Sequence, residues 1–265
     1  MGKDRINQIQ QIKKFMENFD KVLIIPDVHG RTFWKDAVKG REDWKIIFLG
    51  DYLDPYQYEG INCKMALDNF KEIINFKKEH PENVTLLIGN HDCTYVYEGG
   101  KNICNCRADI KNWSEIHSLF NENLKLFTLA EELEIGERKY IFSHAPILEG
   151  WYNNFGFDKG NIVDTLNNQL YDGDAKFLTA LACIDWYRGG YGDAGSMVWA
   201  DVRTVVNGRK TLPDGDYPIF GHTQLEKNPI LTDNFACLDC RRAFILENDG
   251  KIKELDGTEV HQTEL

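Results

Sequence analysis

The stretch Val22-Leu23-Ile24-Ile25-Pro26-Asp27-Val28-His29-Gly30 joins a wholly apolar run to an acid and a histidine two residues apart. The same grammar recurs down the chain. Ile46-Ile47-Phe48-Leu49 runs into Gly50-Asp51, and Val84-Thr85-Leu86-Leu87-Ile88 into Gly89-Asn90-His91-Asp92. Tyr140-Ile141-Phe142 is followed by Ser143-His144, and Tyr217-Pro218-Ile219-Phe220 by Gly221-His222. Each run is β-rich and lacks polar alternation, which predicts strands buried on both faces. Helical spacing between the first and third runs, notably over residues 62–79, predicts parallel strands joined by right-handed crossovers. In such sheets ligands bind at the carboxyl ends of the strands. Five strand ends are therefore expected to deliver Asp, His, Asp, Asn, His and His to one rim.

Working outward, Ile6, Ile9, Ile12, Phe15, Met16 and Phe19 recur at three- and four-residue steps, which predicts an amphipathic helix over residues 4–19. Phe235–Asp239, Arg242–Glu247 and Lys251–Leu255 read as late strands, the last two turning at Asn248-Asp249-Gly250. They predict a second, more antiparallel sheet. Residues 149–197 hold a helical segment near 162–187 and the glycine-rich run Arg188–Gly195, expected as an insertion with a mobile loop over the site of a single domain spanning 1–265. The expected class is α/β, two mixed sheets packed as a sandwich flanked by helices.

The chain has 265 residues, with 42% hydrophobic and 28% charged, which is globular rather than disordered composition. Lys plus Arg number 31 against 42 Asp plus Glu, a net charge of −11. That balance argues against nucleic acid and anionic membrane as partners. No apolar run nears the ~20 residues of a membrane span, and Met1–Gln10 lacks an apolar signal core. A cytoplasmic location is expected. The seven cysteines are odd in number and irregular in spacing, so reduced thiols are expected rather than a disulfide framework. Cys93, Cys104 and Cys106 are read as small packed side chains in preference to a zinc site.

Carboxylate, imidazole and amide donors together suit Mn²⁺, with Fe or Zn²⁺ as alternatives, better than Mg²⁺, which prefers oxygen alone. Two metals ~3.5–4 Å apart can hold a hydroxide between them and clamp a phosphoryl group. A lone His or Asp is ordinarily a surface or capping residue. The joint pattern is what points to a dinuclear centre.

Asp27-x-His29-Gly30, Gly50-Asp51-x-x-Asp54, Gly89-Asn90-His91-Asp92, Ser143-His144-Ala145 and Gly221-His222-Thr223 resemble, in order, the signature of calcineurin-like metallophosphoesterases. The branch holding Ser/Thr protein phosphatases and diadenosine tetraphosphatases is the most similar. The resemblance implies that Asp27, His29 and Asp51 bind one metal. Asp51 would bridge to a second, completed by Asn90, His144 and His222. It implies His91 as general acid to the leaving oxygen and Asp54 as the residue orienting its ring. The implied fold, two sheets face to face with helices outside, agrees with the reading of the runs.

The sequence departs from that signature after Asp54. Pro55-Tyr56 stands where the protein phosphatases carry Arg-Gly, so a phosphate-binding arginine is missing. Arg203, Arg31 and Arg188 are the candidate replacements. Arg203 comes first because Met197-Val198-Trp199-Ala200-Asp201 resembles a Trp-centred motif near which the family carries such an arginine. The expected activity is hydrolysis of phosphomonoesters, phosphopeptide or small. The alternatives are a dinucleoside polyphosphate hydrolase and an inactive binding protein on the same fold.

Overall fold

The computed structural model describes residues 20–98, 100, 107–158, 160–172, 174–192 and 194–263. The helix expected over residues 4–19, and Cys104 and Cys106, lie outside them. Strands form where the apolar runs predict: β1 (Lys21–Ile25), β2 (Lys45–Phe48) and β3 (Val84–Leu87). The short β4 (Phe127–Thr128) extends this sheet and β5 (Ala130–Ile135) begins another. There follow β6 (Arg138–Ser143), β7 (Tyr217–Phe220), β8 (Ile230–Leu231), β9 (Ala236–Cys237), β10 (Phe244–Glu247) and β11 (Ile252–Glu254). They build a six-stranded sheet in the order β11-β10-β1-β2-β3-β4 and a five-stranded sheet in the order β5-β6-β7-β9-β8.

The motif-bearing strands divide between the sheets, three in the first and two in the second. Their ends meet as two facing rims rather than as one. The late strands do not make a sheet of their own. The hairpin β10–β11 pairs antiparallel with the outer side of β1, Val22 against Leu246. Strand β9 runs parallel to β7 in the second sheet. Both sheets are therefore mixed.

The lack of alternation has a direct cause. Val22, Ile24, Ile47 and Leu87 turn inward against Tyr140, Phe142 and Ile219 of the opposite sheet. Leu23, Ile25, Ile46, Phe48 and Leu86 turn outward into a second core under the helices. These side chains are apolar because each face has a layer to pack on. The outer layer includes α1 (Phe33–Val38) and α2 (Cys63–Glu79), followed by α3 (Asn90–Val96) and α4 (Trp113–Asn123). Asn62 caps α2 by accepting from Met65 N at 2.9 Å, and the helix buries Ala66, Leu67, Phe70, Ile73 and Ile74 at three- and four-residue steps.

Residues 149–197 hold α5 (Glu149–Asn154), α6 (Ile162–Asp172) and α7 (Ala175–Leu181), and α8 (Val202–Val206) follows them. Trp151, Tyr152, Leu166, Leu170 and Phe177 join the outer core, so these helices pack on the sandwich through it. Among the described residues no helix is long and apolar enough to cross a membrane.

Candidate metal centre

Each motif strand stops one to three residues before the first of its candidate ligands. Pro26 has no N–H to extend the ladder after β1, and the glycines at 50, 89 and 221 let the chain leave the sheet sharply. The turns are strained. His29, Asp51, Asp54 and His222 all adopt positive φ, between 45° and 61°. Such a backbone is uncommon for residues with a Cβ and persists only where the surroundings enforce it. Four of the five such residues among those described sit in this one place, which makes it the candidate functional site.

Two glycines make the room. A Cβ on Gly89 would lie 2.2 Å from Asp51 Oδ1, and one on Gly221 would lie 2.2 Å from Asp27 Oδ1. The backbone thus passes against both carboxylates. Asp51 Oδ1 accepts from His91 N at 2.9 Å, and Asp27 Oδ1 from His222 N at 3.0 Å.

Asp27, His29, Asp51, Asp54, Asn90, His91, His144 and His222 are all buried, His222 being the most exposed at 7%. The structure brings the expected ligands together in two groups. His29 Nε2 lies 3.5 Å and His144 Nε2 3.6 Å from Asp51 Oδ2. Asn90 Oδ1 lies 3.0 Å from both His144 Nε2 and His222 Nδ1, and those two nitrogens are 3.2 Å apart. Donor atoms of Asp51, His144 and His222 fall within 4.8 Å of one another, and so do those of His29, Asp51 and His91. Asp27 belongs to neither triad and stands on the backbone of His222 beside them.

Backbone carbonyls set the tautomers. His144 Nδ1 donates to Leu49 O at 2.8 Å and His29 Nδ1 to Leu53 O at 2.9 Å. Each Nε2 is left with a lone pair directed into the cluster. The lone pair of His144 then faces the carbonyl oxygen of Asn90, acceptor against acceptor, in a buried space. His222 Nε2 is also buried, with no hydrogen-bond partner. Buried acceptors turned on one another are costly unless a cation lies between them. The donor set therefore fits divalent metal, with nitrogen and oxygen mixed as Mn²⁺, Fe or Zn²⁺ accept.

The electrostatics agree. Burial holds the His29 imidazole well below its ordinary range, against the pull of the Asp51 charge. Burial does the same to His222, reinforced by the Arg188 cation. Both shifts favour the neutral, ligating form of the ring. For Asp51, burial raises the carboxyl, but His144, His91 and His29 outweigh it and bring it to about 2. Burial pushes Asp27 upward, with His144 opposing.

His91 Nδ1 lies 2.8 Å from Asp54 Oδ2. The hydroxyl of Tyr95 donates to the other Asp54 oxygen and itself accepts from Asp109 N at 2.7 Å. Asp92, the last residue of the Gly89-Asn90-His91-Asp92 motif, ties the site together. It accepts from Gly89 N at 2.8 Å, Asp51 N at 2.7 Å and Tyr52 N at 3.1 Å. The acid three residues after a helix N-cap is the sequence signal that points to this role.

The three expected arginines occupy different places. Arg203 turns to Asp201 at 2.7 Å and to Tyr187 O at 3.0 Å, with half its side chain exposed. Arg31 is held by Glu59 through two contacts of 2.7 and 3.0 Å and reaches Asp27 O at 3.3 Å. Arg188 Nη2 donates to His222 O at 2.5 Å and its Nε lies 3.2 Å from Asp201. A fourth, Arg107, which no motif contains, points at the cluster. Its Nη2 lies 3.3 Å from His91 Nε2 and 3.5 Å from both ring nitrogens of His29.

A family model of calcineurin-like phosphoesterases matches residues 20–225. Among solved structures, a cold-active protein-tyrosine phosphatase of a psychrophilic Shewanella species superposes with a TM-score of 0.57 at 16% identity, covering 92% of this chain and 81% of that one. Another structure of a cold-active protein tyrosine phosphatase matches at 0.54 and 18% identity, over 91% of this chain and 78% of that one. A protein serine/threonine phosphatase of Saccharomyces cerevisiae reaches 0.49 at 15% identity, over 92% and 81%. At such identities the two cold-active matches are a likeness of fold, and that fold is the α/β sandwich described above.

Proposed function

The chain belongs to the calcineurin-like phosphoesterases, metal-dependent phosphoric ester hydrolases, and from that premise we propose that it is a phosphatase of phosphomonoesters. Asp27, His29 and Asp51 would hold one divalent metal. Asp51, Asn90, His144 and His222 would hold a second, with Mn²⁺ the first choice. Two metals supply Lewis acidity toward phosphoryl oxygens and activate water.

The chain's own residues do the rest. Asp54 accepts the Nδ1–H hydrogen bond of His91, which leaves Nε2 as the atom from which the imidazolium hands a proton to the departing oxygen. The carboxylate steadies the imidazolium form and fixes the ring's angle. Tyr95 fixes Asp54 in turn. An inactive scaffold has no use for such a chain, which supports an enzyme.

The single observation that carries the reading is the buried meeting of Asn90 Oδ1, His144 Nε2 and His222 Nδ1 at 3.0–3.2 Å, beside Asp51. Its test is release of phosphate from p-nitrophenyl phosphate by Mn²⁺-loaded protein. Turnover that vanishes with chelator is the expected result. No turnover with Mn²⁺, Fe or Zn²⁺ would contradict it.

A further inference from the structure

We infer that Arg107 and the cleft beyond it seat the substrate: the guanidinium grips the phosphoryl group, and the cleft receives a ring-bearing leaving group. The inference rests on the phosphatase reading and narrows its substrate class.

Arg107 lies between α3 and α4 and is half-buried. Its Nε donates to Asp54 O at 3.2 Å, and its guanidinium carbon stands 3.7 Å from the centre of the Tyr56 ring. Backbone and aromatic face together hold the group flat and aimed inward. There its Nη2 lies 3.3 Å from His91 Nε2 and 3.5 Å from the ring nitrogens of His29, at the mouth of the cluster where a phosphoryl group would enter. A guanidinium fork in that place matches phosphate oxygens. Pro55-Tyr56 displaces the family's arginine. Tyr56 instead provides the surface on which Arg107 lies, and also meets His29 edge-on at 5.1 Å.

The direction of the leaving group follows. His91 serves the departing oxygen, so that oxygen lies on the His91 side of phosphorus. From there a cleft of about 670 Å³ opens outward, lined by Arg107, Tyr56, Gln57, Tyr58 and Asn62 among others. Tyr58 is 71% exposed, its ring centre 5.4 Å from that of Tyr56. Its hydroxyl accepts from Arg241 at 3.0 Å, which anchors the ring at the wall. A planar aryl group is the occupant that an exposed, anchored aromatic face favours.

The test uses the Mn²⁺-loaded full chain. Arg107→Ala should weaken binding of inorganic phosphate by about 10–100-fold in isothermal titration, with metal content kept. Arg107→Lys should recover only part of that loss, since an ammonium has no fork. Tyr58→Ala, a change at the surface, should lower the ratio of kcat/KM for phenyl phosphate to that for ethyl phosphate by about 2–10-fold. Unchanged phosphate affinity in Arg107→Ala would overturn the phosphate seat. An unchanged ratio in Tyr58→Ala would overturn the leaving-group assignment. If wild type hydrolyses neither ester yet binds phosphate through Arg107, the seat stands and the phosphatase reading falls.

Discussion

His91 and Asp54 form a buried pair, Nδ1 to Oδ2 at 2.8 Å, with the opposite edge of the ring turned toward Asp51 and His29. The ring thus borders the metal ligands while its own carboxylate holds it from behind. The proposed acid role suits that geometry, although His91 also comes within ligating reach of the cluster. His91→Ala should lower kcat by roughly 10²–10⁴-fold and leave metal content near wild type. Asp54→Asn should show a smaller loss of the same kind. The loss should shrink for substrates whose leaving groups need little protonation, read by comparing nitrophenyl with alkyl phosphates. Loss of a metal in His91→Ala would make the residue a ligand instead.

Gly89 and Gly221 are predicted to be intolerant of a single methyl group. In each, the added carbon would overlap a carboxylate oxygen at 2.2 Å, of Asp51 and Asp27 respectively. Either Ala variant should lose bound metal and, from overpacking, on the order of 1–3 kcal/mol of stability. Metal analysis and urea denaturation read the two effects. Full metal content in both variants would show that the carboxylates can move aside.

The burial of His222 predicts a pH dependence in the chelated protein. Its folded-state pKa is depressed well below the ordinary value, so between the two values the unfolded chain binds the extra proton. Stability from this group is therefore lost as pH falls through about 6.5, at up to about 1.4 kcal/mol per unit. The stability difference between wild type and His222→Asn should shift against wild type between about pH 7.5 and pH 5.5. Parallel curves would contradict it.

Chelation should abolish turnover and leave the fold. The ligands sit past the strand ends, while the two cores close around Ile24, Ile47 and Phe142 on one side and Phe48, Phe70 and Phe120 on the other. Far-UV circular dichroism should stay largely unchanged on metal removal. Its collapse would make the metals structural.

The strands that carry the site were legible because their signal is local: a run buried on both faces, then an abrupt polar residue. Which strands pair was not. Nothing within Phe244–Glu247 says that it lies against β1, since that choice is made by the packing of the whole sandwich. Strand β5, Ala130–Ile135, was hidden by its glutamates, which face partly outward at a sheet edge. The ligand residues stood out through spacing within motifs. Arg107 had no such mark, because it reaches the cluster from a connection between two helices and is placed by Tyr56 and Asp54 O. Arg203 was favoured by its neighbourhood in sequence, yet the buried carboxylate of Asp201 holds its guanidinium.

The most direct test of the central claim is the metal count. Protein loaded with Mn²⁺ and freed of excess should carry about two ions per chain by elemental analysis, and Asp51→Asn, which loses the shared ligand, should carry one or fewer. Fewer than one ion per wild-type chain would contradict a dinuclear centre at Asp27, His29, Asp51, Asn90, His144 and His222.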